Sequence, residues 1–122
     1  MSTNNCNCGK SKIVVSCSGA ADVGLISDKI ARLITQNSNR KMSCLALIAS
    51  CSTEKIQDFS TNDILVIDGC NVDCGKKIML SSGINEFGYL RITDLGCEKN
   101  NTSTTMEQIK KLYQEVEKLQ LI

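Results

Sequence analysis

The chain has 122 residues, of which 42% are hydrophobic and 22% charged, with 14 basic against 13 acidic side chains. That length allows one domain with a real core, while a net charge of +1, dispersed Lys and Arg, 3% aromatics and no Trp argue against a nucleic-acid surface. The absence of histidine removes Ser-His-Asp and Cys-His catalytic pairs and every His-containing zinc site.

Residues 1–11 read as a polar, Asn-rich tail carrying Cys6 and Cys8, and residues 12–122 as a single α/β domain. Lys12-Ile13-Val14-Val15-Ser16-Cys17 is a first buried strand. After the tight connection Ser18-Gly19-Ala20-Ala21, Asp22 is placed to cap a helix whose apolar residues Ile26, Ile30, Leu33 and Ile34 recur at helical spacing. The helix stops at Gln36-Asn37-Ser38-Asn39. A second strand is expected from Lys41 to Ala46, running on toward Ile48, with a break at Ser50-Cys51-Ser52-Thr53 and a short segment around Glu54–Phe59.

Asp63–Ile67 is the third strand. A helix is predicted from Asp73 to Ser82, closed by Gly83 in the left-handed position that follows a helix. Tyr89–Thr93 is the fourth strand. A loop through Cys97 leads to a last helix opened by a Thr104–Glu107 capping box, with Met106, Ile109, Leu112, Tyr113, Val116 and Leu119 as its inner stripe. Strands alternating with helices imply three layers around a four-stranded, mainly parallel sheet. A doubly wound (Rossmann- or flavodoxin-like) arrangement is expected, and of its common strand orders 2-1-3-4 is the one expected here.

Cysteine stands out: 8 of 122 residues. The chain lacks the charged start and apolar core of a signal peptide, and no apolar stretch approaches the roughly 20 residues of a membrane span. A cytoplasmic, reducing location is therefore expected, where clustered thiols point to metal or redox chemistry. In the order 2-1-3-4, Cys17, Cys44 and Cys70 fall at the carboxyl ends of adjacent strands about 4.8 Å apart, and Cys74 lies in the helix turn above. Sulfurs around a tetrahedral zinc lie roughly 3.8 Å apart, so modest convergence would let the four share one ion. The bland alternative, buried apolar cysteines, is weightiest for Cys44 between Met42 and Leu45.

Other signals are weaker. Gly19 and Gly24 have the spacing of a phosphate loop, but Leu25 and Ile26 stand where Lys and Ser or Thr belong, and a tight turn is the better reading. Gly19 and Gly69 are expected where the backbone turns sharply beside ligands. Asp68 either accepts a hydrogen bond behind the metal cysteines or satisfies backbone donors in its own turn. Lys76 and Lys77 could offset the charge of four thiolates.

The run Cys17-Ser18-Gly19-Ala20-Ala21-Asp22-Val23-Gly24, then Met42-Ser43-Cys44-Leu45-Ala46, Ile67-Asp68-Gly69-Cys70 with Cys74-Gly75-Lys76-Lys77, and Thr93-Asp94-Leu95-Gly96 with Lys99, resembles the DGC-domain family across nearly the whole domain. The resemblance implies a zinc site made by four cysteines, which fall here on Cys17, Cys44, Cys70 and Cys74. The chain departs from the family pattern at Leu47-Ile48-Ala49-Ser50-Cys51, where a glycine-rich loop is usual, and at Cys97; both departures bring extra thiols toward the site. Four thiolates leave zinc no open position, so the metal would be structural or cargo, and no catalytic residue is assigned. Two other readings remain open: a thiol redox or sulfur-carrier protein using Cys17 or Cys70, and an iron–sulfur protein.

Overall fold

A computed structural model of the chain describes residues 11–50 and 52–122; Cys6, Cys8 and Cys51 lie outside the described residues. The elements run β1 (Lys12–Ser16), α1 (Asp22–Asn37), β2 (Lys41–Ser43), α2 (Leu45–Ser50), α3 (Thr53–Ser60), β3 (Asp63–Asp68), α4 (Cys74–Ser81), β4 (Gly88–Arg91), a 3₁₀ turn (Ile92–Leu95) and α5 (Met106–Lys118). The four strands form one sheet in the order β2-β1-β3-β4, and all three pairings are parallel. No described helix is long and apolar enough to cross a membrane.

Side-chain alternation builds the three layers. In β3, Leu65 and Ile67 face α1 and α5, where Val14, Ile26, Ile30, Ile34, Ile109, Leu112 and Val116 complete one core. Ile64 and Val66 point the other way and pack with Val15, Ile48, Met79 and Ile84, under α2, α3 and α4. Covering both faces explains why β3 is an unbroken apolar run.

The strand ends differ from the sequence reading in ways that matter for the site. β2 stops at Ser43, and Leu45–Ser50 is helical, not a continuation of the strand. A short Leu-Ala-Leu-Ile run has no periodicity that separates strand from helix. β4 likewise ends at Arg91, and Ile92–Leu95 tightens into a 3₁₀ turn. Asp22 is the first residue of α1, not its cap: Ala21 holds the cap position, and no side chain caps there. The cap of α5 is Thr105, whose hydroxyl accepts the Gln108 N–H, so the capping pattern is displaced by one residue. Met106 and Leu119, expected in the inner stripe, are each half exposed, while Ile109, Leu112 and Val116 carry the packing. Gly83 does take the left-handed conformation after α4 (φ +84°).

Candidate thiolate site

The sheet's strand order reverses between β1 and β3, and in open α/β sheets ligands bind outside the carboxyl ends of the strands at such a switch point. Here that crevice is a cavity of about 480 Å³ lined by Cys17, Cys70 and Cys74, with Asp68, Val72 and the Gly19–Gly24 turn contributing to its walls. Lys99 and Asn100 reach its rim from the loop before α5.

Each wall is fixed by local bonding. The Cys17 N–H donates to Ile67 O at 2.9 Å, extending the β1–β3 ladder by one residue. Buried Ser27 of α1 donates its hydroxyl toward Cys17 O (2.8 Å) and Ile67 O (3.2 Å), tying the helix to both strand ends. Nothing in the pattern around Ser27 marked it; a Ser on the apolar face of a helix is the one signal that could have. Asp22 reaches across the cavity's edge instead of capping: its carboxylate accepts the N–H groups of Val23 (2.8 Å), Asn100 (2.8 Å) and Thr102 (2.9 Å). Those bonds, the Asn100 N–H foremost, hold its carboxyl below the usual range.

Glycines here supply space, not unusual backbone. Neither Gly19 nor Gly69 has a left-handed φ, contrary to the expectation of a sharp turn. Gly69 instead lies against the first turn of α1, where an added Cβ would meet Val23 C at 2.9 Å and Gly24 N at 3.0 Å. Gly24 packs equally closely on Gly19, with 2.7 Å between its would-be Cβ and Gly19 O.

Asp68 is 1% exposed and fully engaged. Its Oδ1 accepts the Gly75 N–H at 2.7 Å; Oδ2 accepts the Lys76 N–H at 3.0 Å and lies 2.7 Å from the Tyr89 hydroxyl. Asp68 does accept backbone donors, but they belong to the start of α4 and not to its own turn, and they follow Cys74 directly. Negative charge at the start of α4 also suits the helix dipole.

Asp73 takes a left-handed conformation (φ 58°, ψ 42°), which costs a non-glycine residue roughly 1 kcal/mol. A bidentate pairing offsets it: Arg91 Nε donates to Oδ1 and Nη2 to Oδ2, each at 2.8 Å. This pairing with Arg91 lowers the Asp73 pKa, and Asp73 in turn raises that of Arg91. The Tyr89 hydroxyl also lies 2.9 Å from Asp73 Oδ1. Its one hydrogen cannot serve Asp68 and Asp73 at once, and burial together with the two carboxylates holds the phenol strongly protonated. Lys76 sits over the Tyr89 ring, 5.3 Å from its centroid.

Of the four expected ligands, the structure brings three to one cavity. Cys17 is half-buried and Cys74 exposed, and they lie close enough for Cys74 to act on the Cys17 thiol. Burial raises the Cys17 pKa; the Gly19 N–H opposes this, and the Cys74 and Asp68 charges add to it. Cys70, half-buried, lines the same cavity. Cys44 does not: it is exposed at the end of β2 and faces an adjoining cavity of about 610 Å³ with Asp28 and Arg32, of which Cys17 forms the shared wall. Among the described residues, no three Cys, Asp or Glu side chains converge closely enough to grip an ion as they stand. Cys97 is a core residue, 7% exposed and packed with α1 and α5, its thiol pKa raised by burial, so it brings no thiol to this cavity.

A three-layer α/β domain with thiols gathered at its switch point is the class that fold and site define. The chain belongs to the DGC-domain family, whose model matches residues 13–116. Neither a curated protein nor a solved structure matches it.

Proposed function

We propose that this protein binds one zinc ion through the thiolates of Cys17, Cys44, Cys70 and Cys74, holding the metal structurally or as cargo. The observation that carries the reading is the cavity at the switch point, where thiols from two strand ends and one helix start face the same space. The donor chemistry fits: a chain without histidine offers a soft ion thiolates, and zinc accepts four of them. Among the described residues no three potential ligands converge as they stand, so the four thiols must close on the ion to complete the set. Cys44 has a short path, because β2 is the direct neighbour of β1 and Ser43 lies opposite Val15. The family supports the same reading, since the four cysteines fall on the positions that gave the resemblance.

The test is elemental analysis of the reduced full chain with a thiol count before and after chelation. One zinc per chain is expected, with four thiols gained on chelation. Replacing Cys70 and Cys74 together with Ser should abolish stoichiometric metal, and full zinc retention in that double variant would rule out the ligand set. Visible absorption in anaerobically purified protein would replace zinc by an iron–sulfur cluster.

A further inference from the structure

Cys17 and Cys74 are both anchored to the end of β3. The backbone of Cys17 is bonded to Ile67, and the next residue, Asp68, holds the two N–H groups that follow Cys74, at 2.7 and 3.0 Å. One dipeptide at the end of β3 therefore sets the positions of both thiols. Both sulfur-bearing residues line the same cavity. Gly19 lies beside Cys17, its would-be Cβ at an ordinary contact distance of 3.6 Å from Cys17 Sγ. Their exposures differ: Cys74 is exposed and Cys17 half-buried. An accessible thiol backed by a sheltered one is the arrangement that thiol–disulfide exchange requires, the first to attack and the second to resolve.

We propose that Cys17 and Cys74 form a dithiol that reduces low-molecular-weight disulfides and closes into a Cys17–Cys74 disulfide. The Cys74 thiolate attacks one sulfur of the small disulfide, forming a mixed disulfide on Cys74 and expelling one thiolate. The Cys17 thiolate then attacks the Cys74 sulfur, breaking the mixed disulfide, forming the intramolecular bond and expelling the second. The protein loses two electrons, the small disulfide gains them, and the two cysteine protons end on the two released thiols. The exchange needs no metal. Its consequence, that oxidation withdraws two of four ligands and so excludes zinc, rests on the metal reading above.

The experiment treats metal-free, reduced full chain with oxidised glutathione and maps disulfides by non-reducing digestion and mass spectrometry; cleavage before Asp73 separates Cys70 from Cys74. The expected result is a Cys17–Cys74 link, with two glutathiones released for each such link formed. Cys17→Ser should stop at a stable glutathione adduct on Cys74, and Cys74→Ser should slow glutathione release at least about tenfold, because the sheltered thiol must then attack alone. A link joining Cys17 or Cys74 to any other cysteine, or a persistent adduct on either of them in the wild-type chain, would overturn the proposal. The wild-type map needs no variant to fold. If the Cys17–Cys74 link forms in a protein that takes up no zinc when reduced, the metal reading falls and the dithiol stands; zinc uptake without that link gives the reverse.

Discussion

Gly75 lies in the first turn of α4, with helical neighbours and no unusual φ, so helix propensity alone predicts that alanine there should stabilise the protein by about 1 kcal/mol. The surroundings predict the opposite. An added Cβ would stand 2.6 Å from Asp68 Oδ1 and 3.0 Å from Val66 Cγ1. Asp68 cannot swing aside, because its oxygens are held by the Gly75 and Lys76 N–H groups and by Tyr89. Either the carboxylate shifts and weakens hydrogen bonds worth about 1.5–3 kcal/mol each, or α4 lifts from β3 at an overpacking cost of about 1–3 kcal/mol. Set against the propensity gain, a net loss of about 2 kcal/mol is expected, lowering Tm by roughly 8 °C for a chain of this size. Urea unfolding of metal-free, reduced Gly75→Ala, followed by far-ultraviolet circular dichroism, measures it. Alkylation of Cys74 should also speed up, since its helix start is loosened. A variant as stable as wild type, or more so, would show that the Asp68 clamp yields easily and that the position of Cys74 is not fixed by it.

Gly69→Val should destabilise by about 3 kcal/mol through contact with the α1 backbone and weaken zinc binding although no ligand is removed; unchanged affinity in a zinc competition titration would show that the α1–β3 contact does not shape the site. Asp22, whose folded-state pKa is lowered, contributes stability that is fully present above its unfolded value of about 3.9 and lost as pH falls through the lower folded value. Asp22→Asn should therefore be less stable than wild type at pH 7 and lose less on acidification below about pH 4, in denaturant midpoints measured across that range; parallel pH profiles would refute this. Thr105→Ala should cost about 1 kcal/mol as the loss of an N-cap, whereas Thr104→Ala should be close to neutral; paired urea midpoints decide, and the reverse ranking would move the cap back by one residue.

Much of this protein follows from sequence alone. Aliphatic runs of strand length separated by helical spacing imply a covered parallel sheet, because β3 has no polar face to give to water; the order 2-1-3-4, taken from the common doubly wound pattern, is the one found, and Gly83 ends α4 as its position after the helix foretold. The positions of Cys17 and Cys70 at strand ends were legible for the same reason. What escaped was whatever depends on partners distant in the chain. Thr104 and Thr105 each offer a capping pattern, with Glu107 and Gln108, and only the packing of Ile109, Leu112 and Val116 selects the register. Leu45–Ser50 is apolar enough for either strand or helix, and its seat beside α4 decides it; Cys44, just before it, lines the adjoining cavity and not that of the other three thiols. Arg40, 3% exposed, donates to the carbonyls of Ile13, Asp63 and Leu121 at the far end of the sheet, a burial that no local pattern announces. Asp68 is the plainest case. Its Asp-Gly-Cys motif marks a site, but the acceptor role arises only when α4 folds back and brings two N–H groups to a carboxylate seven and eight residues earlier. Sequence periodicity reports which face a residue occupies; which group it meets there is set by the crossing of elements, and that geometry belongs to the tertiary structure.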